Sequence, residues 1–557
     1  MSESESRRLP LRIGIMLDST TVPAWENKII EEIRDSDFLH LSLYIINAER
    51  KPRQRLFTRA RRRLPLVLYS LYRRLDRYLF KQPHDALEQV EASVPPHTID
   101  TLRVVPMRRG FEHRLEQGDV EAVRSRNLDV ILRFGFNIIR GEILNAAKFG
   151  IWSYHHGDNA EYRGRPAFFW EMQENNPVSG TLLQRLTEEL DGGNVIYRSY
   201  ASTDMRSLNR SRNAAFWKTS DFILRRLADL KRHGWDYIAS LDSYNEDLRY
   251  EKAIYKNPNN RTMISFLVKL ACRFLVHRYK LFVFYPQWRI ATRKARPVDR
   301  EPFETDGFEV IPSPRHHFFA DPFLAKHDGA TFLFFEDFDW KKHKGVIAVI
   351  RIAEDGSRTA ARTALERDYH LSYPCVFKFE DQFYMIPETS CNSTIELYRA
   401  VSFPDQWELV RVIFDGIYAV DSTVHFDHGK LWLFTSHAVP GRTCNDELHV
   451  YFSDSPLGEF TPHPRNPVVS DVRSARSAGS LFRRGSELIR PAQDCSSGYG
   501  SAINLNLVEV LSEFDYRERV VGRIEPGWIR SGLGTHTINR NEDIEVLDGL
   551  SLQPKWW

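Results

Sequence analysis

Between Gly150 and Val195 the chain brings together side chains able to move protons and to hold charge. The stretch opens IWSYHH, with Ser153, His155 and His156 close together. It then passes Arg163 and closes on the tight turn ELDGG, which carries Asp191. An imidazole titrates near neutrality and can both give and take a proton. A nearby carboxylate can orient it or accept a proton in turn. The elements that position these groups can be read from periodicity. LDVILRF, residues 128–134, is an apolar run of the kind that forms a buried strand, and FGFNIIRGEILNAAKFG predicts a loop and an amphipathic helix ending at Gly150. IWSYH predicts the next strand, which completes a βαβ unit. Open sheets of this kind place ligands beyond the carboxyl ends of their strands. His155 and His156 fall at such an end, and Asp191 follows a strand-like run from Gly180 to Leu186. On the plainer alternative, the two histidines only close a strand and Asp191 only caps a turn.

The order of these residues resembles the formyltransferase family, which moves a formyl group from N10-formyltetrahydrofolate to an amine. The family reads Asn-x-His, an Arg-Gly…Pro loop, a Gly-Val-Thr-like strand and Leu-Asp-x-Gly. Here His155 matches the histidine, Arg163, Gly164 and Pro166 the loop, Gly180, Thr181 and Leu182 the strand, and Leu190, Asp191 and Gly193 the closing turn. Phe134, Gly135 and Phe136 stand where the family has its Tyr-Gly-x loop at the cofactor pocket. The match covers roughly the first two hundred residues. Two segments depart from it. Ser153 replaces the asparagine, and His156, Gly157, Asp158, Asn159 and Ala160 replace a Pro-Ser-Leu-Leu-Pro run. The resemblance implies proton transfer by His155, helped by Asp191, with Ser153 and His156 as candidate oxyanion partners. Arg163 orders the active-site loop or contacts substrate. Phe134, Gly135, Phe136, Leu190 and Gly193 would line the cofactor pocket. A serine hydroxyl offers one donor where the amide has two, and one lost oxyanion donor typically costs about 100- to 1,000-fold in rate. A water, His156 or a backbone N–H must then complete the hole, or transfer is impaired.

At 557 residues the chain is too long for one core, and two or three domains are expected. Hydrophobic residues make up 42% and charged ones 27%, an ordinary globular balance. Net charge is only +3, which argues against nucleic acid as a partner. The five cysteines show no CxxC pairing and suit buried thiols in a reducing compartment, with no metal site. The opening MSESESRRLP lacks the apolar core of a signal peptide, and no run of eighteen or more apolar residues follows. The expected location is cytoplasmic, with the inner face of a membrane as the alternative.

LRIGIML (11–17), a helical AWENKIIEEI (24–33) and FLHLSLYII open a doubly wound sheet. The intervening loop, Asp18 to Pro23, has no glycine and so no dinucleotide fingerprint. Residues 50–81 form a basic insertion with Leu, Tyr and Phe at helical spacing. It suits a solvated helix over an acidic face or, alternatively, a helix on an anionic membrane surface. A nucleic-acid role is the weaker third reading. Residues 206–299 are expected to form a helical connector after the α/β domain of residues 1–205. Within it, 263–285 is apolar but interrupted by cations, which suits an amphipathic helix or shallow membrane contact and not a span.

From residue 300 to 557 short β-rich runs alternate with turns such as HDG, EDQ and DHG. ADPFL at Asp321, SYPCVF at Tyr373, DSTVHF at Asp421, SARSAGSLF at Ser477 and GTHTI at His536 recur roughly every fifty residues, the scale of a propeller blade. Five units predict a five-bladed propeller whose inner strands start at one rim. These motifs resemble the five-bladed glycan-active propellers that include arabinanases and invertases, and more closely the N-terminal domain of plant glucosamine inositolphosphorylceramide transferases. Such hydrolases set carboxylates from separate blades around the axis. Asp321 matches the first. Tyr373 stands where the second is missing, while Asp421, Glu388 and Asp494 could rebuild a cluster. Asp321, Tyr373, Asp421, Ser477 and His536 are expected to converge on a glycan-binding funnel, with Tyr373 beneath a sugar ring. The alternative is that the aspartates only end turns and hydrogen-bond neighbouring blades.

Together the two resemblances imply an α/β formyltransferase-like domain, a helical connector and an all-β propeller. The implied activity is formyl transfer to an amino sugar on a nucleotide or lipid carrier, in surface-glycan biosynthesis. The alternative, from another class, is a formyltransferase fold that has lost its activity and serves a glycosyl-transferring or carbohydrate-binding propeller.

Overall fold

The computed structural model describes residues 9–49, 64–189, 192–241, 254–296, 303–438 and 443–555. It divides into two compact units, Met1–Ser199 with Thr203–Arg273, and Tyr200–Ser202 with Phe274–Trp557.

The first unit is built on a seven-stranded sheet. Its strands are β1 (Leu11–Leu17), β2 (Leu39–Asn47), β3 (Thr101–Val104), β4 (Val130–Arg133), β5 (Ile151–His156), β6 (Val178–Arg185) and β7 (Asn194–Ser202), in the order β7-β6-β5-β4-β1-β2-β3. β5, β4, β1, β2 and β3 run parallel, and β6 returns antiparallel to β5. The chain leaves β1 on one side for β2 and β3 and on the other for β4. Their carboxyl ends therefore flank the switch point where such sheets bind ligands. β1 is buried on both faces, as an interior parallel strand must be. The helices that cover the sheet include α1 (Ala24–Arg34), α2 (Val67–Leu79), α3 (Phe169–Glu174), α4 (Leu208–His233) and α5 (Asn260–Val283). α1 turns Trp25, Ile29, Ile30 and Ile33 inward, a helical spacing read correctly from the sequence.

Two expectations change. No α-helix lies between Phe134 and Gly150: Ile138 and Ile139 pair in parallel with Glu112 and His113, and Gly141 takes φ 87°. Only one 3₁₀ turn, Glu142–Asn145, fits in what remains of the crossover. The connector is not a separate layer. α4 packs into the first unit with Phe222, Ile223 and Leu227 wholly buried. From Phe284 onward the chain is already a strand of the second unit. Residues 50–63 lie outside the described residues; α2 forms where helical spacing was expected. Among the described residues, no helix is long and apolar enough to cross a membrane.

The second unit is all β. Four antiparallel sheets of four strands follow one another, opening at His317, Ser372, Tyr418 and Phe482. A fifth sheet joins both ends of the region: Phe284–Lys294 pairs along its whole length with Ile544–Pro554. The turns at Asp328-Gly329, Glu380-Asp381 and His428-Gly429 close two-residue hairpins between paired neighbours. Five of these six residues take positive φ, which matches the right-handed strand twist.

Candidate functional site

β5 presents its side chains alternately to the two faces of the sheet. Ser153 and His155 share the face of Ile151, which packs in one core cluster, while Tyr154 and His156 share the face of Trp152, which packs in the other. His156 stacks on Phe216 at 3.9 Å and meets Trp25 edge-on at 5.5 Å. Its Nε2 lies 3.4 Å from the Thr219 hydroxyl. Burial, reinforced by His155 and Arg212, pushes its pKa down to about 3, so it is neutral. His156 is therefore a packing residue on the face opposite His155, not an oxyanion partner beside it. Strand alternation sends adjacent histidines apart. Ser153 is buried, and among the described residues its hydroxyl reaches only the Tyr154 carbonyl, at 3.4 Å.

The Phe134–Phe136 loop lies at the switch point. Gly135 donates its N–H to the Met16 carbonyl at 2.9 Å, and Phe136 N–H donates to Asp18 Oδ1 at 2.8 Å. A Cβ on Gly135 would stand 2.3 Å from the Asp18 nitrogen, so glycine is required by close approach. Phe134 packs edge-on against Trp25 at 5.7 Å. Leu190 and Asp191 lie outside the described residues; Gly193 is buried, with room for no side chain beside the Arg185 carbonyl. The Arg163 carbonyl accepts the Tyr255 N–H at 2.8 Å, which ties its loop to the segment 254–259. That segment and Trp170 wall a cavity of about 500 Å³, where Trp170 and Tyr255 stack at 4.8 Å.

Sequence reasoning missed several polar groups here. Burial, with Asp18 nearby, raises Glu26 to about 8, and burial raises Glu171 to about 8 as well. Asn159 is wholly buried, and neither atom of its amide has a hydrogen-bond partner among the described residues.

In the second unit the repeated motif has a structural cause. Asp321, Tyr373 and Asp421 each occupy a break in strand register, between Ala320 and Phe323, Ser372 and Cys375, and Val420 and Thr423. All three have left-handed φ, 53°, 42° and 49°. The repeat is a β-bulge, which re-aims one side chain per sheet. These residues do converge. Asp321 accepts from Tyr373 N–H at 3.2 Å and from the Thr537 hydroxyl at 3.0 Å. His536 stands between two carboxylates, Nε2 at 3.2 Å from Asp321 and Nδ1 at 2.6 Å from Asp548. Asp421 takes the Arg476 guanidinium at 2.5 Å and the Gln493 amide at 2.6 Å. Glu388 accepts Asp421 N–H at 3.3 Å and faces Arg476 at 3.8 Å.

Burial opposes charge on His536, but Asp548 and Asp321 outweigh it and hold its pKa above the usual value. Burial pushes Asp321 up to about 6 against the pull of His536. Burial and Asp421 push Glu388 to about 8 despite Arg476. Asp321, His536 and Asp548 lie close enough to share one metal ion, with ligand atoms within 4.8 Å of one another. Both imidazole nitrogens already face carboxylates, Asp321 on one side and Asp548 on the other.

Two expected members are placed otherwise. Tyr373 is wholly buried; its hydroxyl meets Thr423 at 2.8 Å and accepts Gly479 N–H at 2.7 Å, so it offers no face to a sugar. Asp494 pairs with Arg523 at 2.6 Å, because strand alternation gives the inward position to Gln493. Arg476, Gln493 and Asp548 went unnoticed, as did Glu336, which is buried and held well above the usual carboxylate range by burial and by Asp321 and Glu388. Only Glu336, at the end of the apolar run FLFF, carried a signal.

Residues 301–530 match the family described as glucosamine inositolphosphorylceramide transferase 1, N-terminal. Over 206 residues the chain is 39% identical to the glucosamine inositolphosphorylceramide transferase 1 of Oryza sativa subsp. japonica, covering 36% of this chain and 28% of that protein. It thus spans little more than a quarter of that relative's length. Among solved structures, glycinamide ribonucleotide transformylase 1 from Symbiobacterium toebii is 14% identical, covering 40% of this chain and 87% of its own, with a TM-score of 0.27. The catalytic domain of the Coprinopsis cinerea family 62 α-L-arabinofuranosidase is also 14% identical, covering 47% of this chain and 97% of its own, at 0.32. Neither structural likeness says anything of activity.

Proposed function

We propose that the first unit transfers a formyl group from N10-formyltetrahydrofolate to the amine of an amino sugar on a nucleotide or lipid carrier. The observation that carries this reading is His155. It stands at the carboxyl end of β5, one strand from the switch point, on the same face as Ser153. An amine attacking a formyl carbonyl must lose a proton, and the leaving folate nitrogen must gain one; a histidine serves both. His155 moves that proton, and Ser153 or a backbone N–H faces the developing oxyanion, since His156 is turned away. The cofactor supplies the formyl group. Support for a polar ligand beside the loop that follows β5 comes from Asn159 in that loop, since a buried amide left unpaired costs about 1–3 kcal/mol. The second unit is read as a five-bladed propeller recognising a glycan. Its five sheets, the last closed by strands from both ends, support that architecture.

A second reading is favoured by one observation: the family match lies in the second unit, and the relatives' name joins glucosamine to a lipid-borne inositol phosphate. Here the second unit binds or transfers a sugar on a glycolipid, and the first has lost formyl transfer. The test is incubation of the full chain with N10-formyltetrahydrofolate and a panel of nucleotide-linked amino sugars, read by mass spectrometry. A formyl mass increment supports the first reading. No increment and no folate binding by calorimetry leaves the second.

A further inference from the structure

α2 is apolar on two faces. Its inner face turns Tyr69 and Tyr72 into the core, where Tyr72 meets Phe266 of α5 edge-on at 5.1 Å. Its outer face exposes Val67, Leu71, Leu75 and Tyr78, three or four residues apart, with Leu71 60% and Tyr78 81% accessible, and Leu64 in the 3₁₀ turn just before the helix is exposed as well. A helix in contact with water alone would carry polar residues there. The first half of α5 repeats the pattern: Met263 and Phe266 point inward, while Ile264, Leu267 and Val268 are exposed. The two helices are locked together, since Asn260 donates to the Leu64 carbonyl at 2.8 Å and accepts Leu68 N–H at 3.1 Å.

Charge decides what covers this face. Arg73, Arg74 and Arg77 are exposed on α2, Lys81 follows it, and Arg261 is exposed on α5. The one acidic residue of α2, Asp76, is buried and accepts Asn209 N–H at 2.7 Å. Residues 260–273 contain no acidic residue. A second copy would set arginines against arginines. An anionic surface with an apolar interior satisfies both halves of the pattern, and leucines flanked by arginines are what lies stably in a lipid interface.

We propose that the outer face of α2 and the first half of α5 docks on an anionic lipid bilayer. The leucines enter the headgroup–acyl boundary and the arginines meet lipid phosphates. Vesicle flotation of the full chain tests this, comparing phosphatidylcholine alone with phosphatidylcholine plus phosphatidylglycerol. The chain is expected to float with the anionic vesicles and to be released by high salt. Leu71→Ser with Leu75→Ser should weaken binding by about tenfold or more, and Arg73→Gln with Arg74→Gln by roughly 20-fold. Unchanged melting temperature in the arginine pair keeps the test valid should the leucine pair misfold. Equal flotation with neutral vesicles, no flotation, or unaltered flotation of the arginine pair overturns the proposal. So does a dimer in sedimentation velocity that Leu71→Ser dissolves.

Discussion

The Asp321 carboxylate accepts the backbone N–H of Tyr373 at 3.2 Å, tying the bulge of one sheet to the same bulge in the next. Its other oxygen takes the Thr537 hydroxyl and lies 3.2 Å from His536, so one side chain links three sheets.

Asp321→Asn is therefore expected to lower stability. It removes one of the two carboxylates that flank the His536 ring, and breaking a buried pair on one side costs about 3–5 kcal/mol. At ~2–4 °C per kcal/mol for a domain of this size, the melting temperature of the second unit should fall by about 6 °C or more. Differential scanning calorimetry of the full chain reads this directly. An unchanged transition with lost glycan binding would instead make Asp321 a ligand group.

The recurrence of ADPF, SYPC and DSTV was legible because a bulge demands the same backbone in every sheet. What the repeat did not disclose is where each side chain ends. Arg476 and Gln493, which neutralise and hold Asp421, come from a sheet whose motif has diverged to SARSAG. Asp494 suits a carboxylate cluster by residue type, yet β alternation decides inward and outward and turns Gln493 to Asp421 instead. The same alternation separates His155 from His156. The parallel sheet was readable from its apolar runs, whereas the missing helix before Gly150 was not. The pairing of Ile138 and Ile139 with Glu112 and His113 is a long-range contact that overrides local helical spacing.

Glu171 sets a pH dependence in the first unit. Burial raises its pKa from 4.5 to about 8, so the folded chain keeps a proton that the unfolded chain releases above about 4.5. The associated stability is present below pH 4.5 and is lost as pH rises to 8, by about 1.4 kcal/mol per unit. Glu26 acts in the same direction. Urea midpoints measured from pH 5 to 8 should fall, and Glu171→Gln should flatten that fall. An equal slope in the variant would place the proton elsewhere.

Gly135→Ala should destabilise the switch-point loop without touching a catalytic group. The new methyl meets the backbone of Leu17 and Asp18 at 2.5 and 2.3 Å, and backbone at a strand end cannot rotate away. Overpacking of this kind costs about 1–3 kcal/mol. The Phe136 N–H to Asp18 bond is the contact most exposed to the shift. A shifted urea midpoint with an unchanged slope is expected; no shift would mean that the loop and β1 separate freely.

Replacing the two histidines separates chemistry from packing. His155→Ala should reduce transfer by roughly 100-fold, the scale of a lost acid–base group. His156→Phe should leave the rate nearly unchanged, because a neutral ring stacked on Phe216 serves as well without nitrogens. The pH dependence of stability distinguishes them again. The folded pKa of His156 is depressed to about 3, below the ordinary 6.5, so its contribution is present above pH 6.5 and is lost as pH falls toward 3. That slope opposes the one from Glu171 between pH 4.5 and 6.5, and His156→Phe should remove it. If His156→Phe instead loses activity while keeping its melting temperature, the imidazole reaches the reacting atoms and its place in the aromatic cluster is not its role.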